Sequence, residues 1–178
     1  GQALKMNSGA NAPEWGTISS GEYSVHKVDS YNFQTNYSTN TNQTYIDIAG
    51  GNTVSFQPTS TNDKVFISHY CAVYCQVTNS GADAYMMMKE GSSAIGTGDT
   101  RLNYDGDHST YTANSGMYTM ISKSLILPCT GLNTSSVYYL EQAGANHTST
   151  ASQLNHTSTG ATGSYRAHQV NLIHYKKN

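Results

Sequence analysis

The stretch Lys64-Val65-Phe66-Ile67-Ser68-His69-Tyr70-Cys71-Ala72-Val73-Tyr74-Cys75-Gln76-Val77 decides the fold. Val65, Ile67, His69, Cys71, Val73, Cys75 and Val77 share one side of a period-two pattern, and that period belongs to a β-strand. The first side is apolar enough to be core. The other side carries Phe66, Ser68, Tyr70, Ala72, Tyr74 and Gln76, aromatic but polar-tipped, and is expected to pack against a second sheet or a neighbouring subunit rather than water.

Working outward, short apolar-alternating runs separated by Gly/Asn/Ser/Thr clusters predict further strands at 23–28, 44–48, 54–56, 84–89, 118–127, 136–142 and 169–175. Pro128 cannot donate to a ladder and marks a strand end. Val137 and Tyr139 oppose Tyr138 and Leu140, apolar on both sides, which predicts a central or interface strand. No 3.6-residue periodicity of useful length occurs. The expected fold is all-β, an antiparallel, jelly-roll-like β-sandwich.

Composition agrees. Charged residues make up 11% of the 178 residues, against about 25% in ordinary soluble proteins. Ser, Thr, Asn, Gly and fourteen Tyr fill the gap. Hydroxyls and amides compete with helical hydrogen bonds, whereas Thr, Tyr and Val suit a pleated surface. With 37% hydrophobic residues and a formal charge of −2 the chain is expected to fold. Nine Lys and Arg provide no field to gather phosphates, which argues against nucleic acid as a partner. No apolar run reaches the roughly 20 residues of a membrane span, so no membrane insertion is expected.

Candidate chemistry is sparse. Cys71 and Cys75, four apart on one strand, lie about 13 Å apart at Cα, beyond disulfide reach. Either could pair only with Cys129, and the spacing misses the CxxC of zinc sites, so all three read as small core hydrophobes. His69 and His174 sit among apolar neighbours and read as hydrogen-bonded core or interface histidines. Asp99, Asp105 and Asp107 could hold a hard cation, but their spacing departs from EF-hand order and turn chemistry explains them better. Asn146-His147-Thr148-Ser149-Thr150 recurs as Asn155-His156-Thr157-Ser158-Thr159; paired His-bearing loops could contact a ligand or metal, and a biased Ser/Thr/Asn composition is the simpler reading. Glu22, Glu90 and Glu141 are read at strand edges, with no carboxylate pair forced together as glycoside cleavage needs. No nucleophile elbow, HExxH or phosphate loop is present, and neither catalysis, a cofactor nor a metal is expected.

Residues 91–115 and 143–167 are long, polar and without strand patterning. Such loops on a rigid sheet are where recognition concentrates. Tyr104, His108, Tyr111, His147, His156 and Tyr165 are therefore the candidate receptor-binding residues, since Tyr offers contact area at small entropy cost.

Two stretches resemble a known family. Gly1-Gln-Ala-Leu-Lys-Met-Asn-Ser-Gly-Ala-Asn-Ala-Pro-Glu-Trp15-Gly16 is similar to the G-Q-x-L-x-x-N-x-x-x-x-A-P-x-W segment that joins shaft to head in phage fibre and other virion proteins. Thr44-Tyr45-Ile46-Asp47-Ile48 followed by Val54 to Ile67 resembles attachment proteins of marine phages and cyanophages. The resemblance implies a trimeric β-sandwich head at 23–178, a connector at 1–22 that reaches other virion proteins, and a Gly1 that is not the natural start. It implies an extracellular, virion-borne domain that binds a host-surface glycan or protein, or else a structural decoration or head-fibre protein. A polysaccharide-degrading spike is the remaining reading. The two long loops and the ending Leu172-Ile173-His174-Tyr175-Lys176-Lys177-Asn178 depart from the family pattern, so target specificity does not carry over.

Overall fold

The computed structural model describes residues 2–6, 13–17, 22–33, 37–39, 46–47, 49, 51–75, 80–102, 111–113, 117–146, 152–154 and 168–178. Among them there are fourteen strands and no helix. β1 (Gln2–Met6) and β2 (Pro13–Thr17) form a separate ribbon. One six-stranded sheet holds β3 (Tyr23–Phe33), β4 (Tyr37–Thr39), β7 (Lys64–Cys75), β11 (Met117–Pro128), β13 (Ser152–Leu154) and β14 (His168–Lys177). The other holds β5 (Ile46–Asp47), β6 (Val54–Phe56), β8 (Ser80–Glu90), β9 (Thr100–Arg101), β10 (Tyr111–Ala113) and β12 (Tyr138–Asn146). Every pairing is antiparallel, as the alternating sequence requires.

The pairings nest. β8 pairs β9 and β10, β7 pairs β11, β12 takes β5 and β6, and β14 pairs β3. From innermost pair to outermost, these ribbons fall alternately in one sheet and the other. That is the winding of a jelly roll, two antiparallel sheets packed as a sandwich. The expected all-β sandwich is the fold observed.

The core lies between the sheets. Val65, Ile67, Leu125, Val170 and Leu172 from the first sheet meet Val54, Phe56, Met86, Met88, Tyr138 and Leu140 from the second. On β7 the face expected to be core is buried at Val65, Ile67, His69 and Cys71, while Phe66, Ser68 and Tyr70 are half-buried. Cys71 and Cys129 are buried, as expected of small hydrophobes.

Strand by strand, the sequence reading needs correction mainly in length. β3 runs on to Phe33 because it follows β14 along its whole length. β12 starts at Tyr138 and continues to Asn146, since β8 supplies partners as far as Ala82. The opening segment, which shows no alternation, nevertheless forms the β1–β2 ribbon with Leu4 opposite Trp15. A backbone ladder needs no side-chain pattern. The two stretches read as structureless contain β9, β10, the end of β12 and β13. Glu141, placed at a strand edge by the sequence, lies within β12 between β8 and β5/β6 and is buried.

Candidate functional site

The outer face of the β11–β7–β14–β3 sheet is built by register. Ile126 stands opposite Phe66, Phe66 opposite Ile173, and Ile173 opposite Val28. Directly opposed residues point to the same side, so these four form an apolar row across four strands. The row on one side is polar, Ser124–Ser68–Asn171–Ser30; the row on the other is Pro128–Lys64–Tyr175–Val25. Val25, Val28 and Ile126 are 59%, 65% and 65% exposed, the large hydrophobics least covered among the described residues. Scattered single exposed hydrophobics are ordinary, whereas a contiguous row is the kind of surface that proteins use for contacts.

A pocket of about 320 Å³ opens beside this row, lined by Tyr23, Lys64, Phe66, Ile126 and Tyr175. Its rim is cationic: the Lys64 and Lys177 ammonium groups lie 4.5 Å and 5.1 Å from the centre of the Tyr23 ring. Glu22 pairs with Lys177, and that hydrogen bond holds its carboxyl below the usual value. The remaining wall is aromatic and aliphatic, so the pocket accepts an apolar group with a polar or anionic neighbour.

Beneath the pocket, on the inner side of the same strands, lies a buried polar node. Asp63 Oδ2 accepts from Thr59 N (2.7 Å), Thr59 Oγ1 (2.8 Å), Ser60 N (3.1 Å) and His174 Nε2 (3.0 Å), and its Oδ1 accepts from Lys177 N (3.0 Å). Burial alone raises this carboxyl, but the donors outweigh it and hold the group at about 2. A carboxylate only accepts, so neutral His174 carries its proton on Nε2. Its Nδ1 is buried with no hydrogen-bond partner. A register shift leaves β3 one residue long at His26, whose ring meets His174 edge-on at 5.0 Å. Burial depresses His174 below its ordinary 6.5; Asp63 opposes this, and His26 and Lys27 add to it. The Cys129 amide donates to the Asp63 carbonyl, and burial together with the Asp63 charge pushes its thiol up to about 12. A thiol so held is protonated at neutral pH and a poor nucleophile.

A second buried histidine is structural. Gln142 Nε2 meets His69 Nδ1 at 2.5 Å, and burial, with Lys123 nearby, pushes His69 down to about 4. Both histidines are buried, as the strand pattern foretold. Asp99 behaves as a turn residue: its carboxylate accepts from Gly96 N at 2.8 Å and pairs with Lys89 at 3.2 Å.

No family model matches this sequence, and no curated protein matches it. Among solved structures the chain is similar to a chain of infectious bursal disease virus, Gx strain, at TM-score 0.36 and 13% identity, over 98% of this chain and 40% of that one. A chain of the Gt strain gives TM-score 0.36 and 12% identity, over 98% and 42%. The chain therefore spans less than half the length of these neighbours. An overlap of this size carries no functional weight.

Of the receptor-binding candidates, Tyr104, His108, His147, His156 and Tyr165 lie outside the described residues, as do Asp105 and Asp107. Tyr111 is described in its backbone, paired with Ala82 at the margin of the second sheet. What the sequence reading missed is the apolar row and Asp63. Ser122, Ser124 and Ile126 share one side of β11, and the break in that polar series at Ile126 is the signal for the row. For Asp63 the signal is Thr59-Ser60-Thr61-Asn62-Asp63, a turn cluster directly before a long strand.

Proposed function

We propose that this chain is the head domain of a phage tail fibre or similar virion attachment protein, non-enzymatic, assembled as a homotrimer and binding a host-surface glycan or protein. The observation that carries the assembly is the apolar row Ile126–Phe66–Ile173–Val28, which leaves two of its four members 65% exposed. Burying such a row in a subunit contact gains roughly 25 cal/mol per Å² of apolar area, before the costs of association are subtracted. A hydroxyl- and amide-rich composition with fourteen Tyr supports recognition of sugars and their hydroxyls. The opening segment and the Thr44–Ile67 resemblance support a virion setting, with the connector reaching other virion proteins. A jelly roll serves many roles, so the fold alone does not choose among them.

Light scattering tests the assembly: a mass three times the 19.2 kDa chain is expected, falling to the monomer in Val28→Lys/Ile126→Lys. A wild-type monomer at micromolar concentration would remove the trimer. Adsorption competition and a glycan array test recognition. Unimpeded adsorption, with fragile particles when the gene is deleted, would favour the alternative, a structural decoration or head-fibre protein.

A further inference from the structure

We infer that the Asp63–His174 pair is an acid-sensitive latch that fixes the shape of the outer-face pocket. The latch ties together three segments: the 59–63 turn through Thr59 and Ser60, the end of β14 through His174 and the Lys177 amide, and the residue after β11 through the Cys129 amide. Those segments carry the pocket. Lys64 follows Asp63, Tyr175 follows His174, Tyr23 stands opposite Lys177, and both Lys64 and Lys177 lie over the Tyr23 ring. Phe66 and Ile126, the other two lining residues, sit further along the ladder and do not depend on it.

The sensor is His174, because Asp63 stays ionised down to about pH 2. Charged and titratable groups face His174 from two directions: Asp63 from the turn, and His26 and Lys27 from β3; Cys129 faces Asp63 with a thiol that stays protonated. A second proton must go on Nδ1, which is buried without an acceptor beside His26. The charged ring is better solvated outside, so acid favours opening. A folded-state value below 6.5 means that the closed form binds fewer protons. The latch is therefore secure above that pH and loosens as pH falls below it.

Phe66 and Ile126 belong to both the pocket and the apolar row, so opening the latch would also release a partner copy seated on that row; this consequence rests on the self-association proposed above, whereas the latch itself does not. Amide exchange of the whole chain, corrected for intrinsic rates, measures it. Protection at Lys177 should fall severalfold more than at Leu172 between pH 7 and pH 5.5, up to the roughly eightfold that one group with an open-state value of 6.5 can supply, and the Tyr23 and Tyr175 ring signals should shift with the midpoint of His174. His174→Gln, which keeps a donor toward Asp63 but does not titrate, should abolish that difference. If this variant fails to fold, the wild-type midpoints decide. His174 titrating while Lys177 protection and both Tyr rings stay unchanged overturns the latch. Light scattering at the same two pH values separates the readings: dissociation at pH 5.5 supports coupling, and a trimer unchanged there overturns release. A monomer at both overturns self-association and leaves the latch to the exchange result.

Discussion

The two sheets differ in how their outer faces are finished. On the second sheet, Tyr85, Met87 and Ala143 are buried with Ile95 packed against them, and Arg101 lies 3.8 Å over the Tyr85 ring. Segment 91–102 thus roofs that face: Lys89 Nζ reaches the Ala94 carbonyl at 2.8 Å and Asp99 at 3.2 Å. The first sheet has an apolar row of similar chemistry and leaves Val25, Val28 and Ile126 more than half exposed. Among the described residues, one face is covered by another segment of the chain and the other is left open. Jelly rolls bury one face of each sheet in the common core, so what lies on the remaining faces is where two such proteins come to differ.

Truncation on the two faces should break or confirm this contrast most sharply. Met87→Ala, under the roof, is expected to cost about 2–5 kcal/mol in urea unfolding, the range for buried methionines. Ile126→Ala, on the open face, should leave monomer stability within about 0.5 kcal/mol, as for a surface position. Equal losses would mean that the open face is already covered within the chain.

Acid sharpens the contrast from the inside. His69 titrates at 6.5 when unfolded and at about 4 when folded, so the folded chain binds fewer protons between those values. Its contribution is complete above pH 6.5 and drains as the pH falls toward 4, a loss of about 3 kcal/mol at 1.36 kcal/mol per unit. Unfolding of wild type and His69→Gln at pH 7 and pH 4.5 checks this, the variant showing the shallower dependence. Because His69 lies in the core between the sheets, its loss should weaken both faces together, unlike the local effect expected of His174.

The sandwich was legible because alternation is a property of the chain itself: Val65, Ile67, His69 and Cys71 face inward wherever β7 is placed. Strand ends were less legible, since β12 runs to Asn146 only because β8 offers partners opposite it. The roof was hidden for a similar reason. Ile95 stands alone in a polar stretch, and its burial depends on Tyr85 and Met87 arriving from another strand. Glu141 ends an apolar run and looks like a boundary, yet β8 and β5/β6 flank β12 and enclose it. Asp63 reads as one more turn residue because Thr59 is its turn neighbour, while His174 and Lys177 reach it only with the closing strand.

The smallest expected effect concerns what holds the roof down. Beside the β8–β9 ladder, Lys89 and Asp99 form an ion pair between β8 and segment 91–102, and both side chains are partly solvent-exposed. Screened pairs of this kind contribute roughly 0–1 kcal/mol, and the Asp99 carboxylate would keep its Gly96 amide donor without the lysine. Lys89→Met preserves the aliphatic stem and should therefore cost less than about 1 kcal/mol in urea unfolding, with Tyr85 remaining as shielded as before by fluorescence quenching. A cost matching that of Met87→Ala would show that the ion pair, and not apolar burial under Ile95, covers the second sheet. The difference between the two faces would then be electrostatic, and raising the salt concentration should expose the roofed face while leaving the apolar row unchanged.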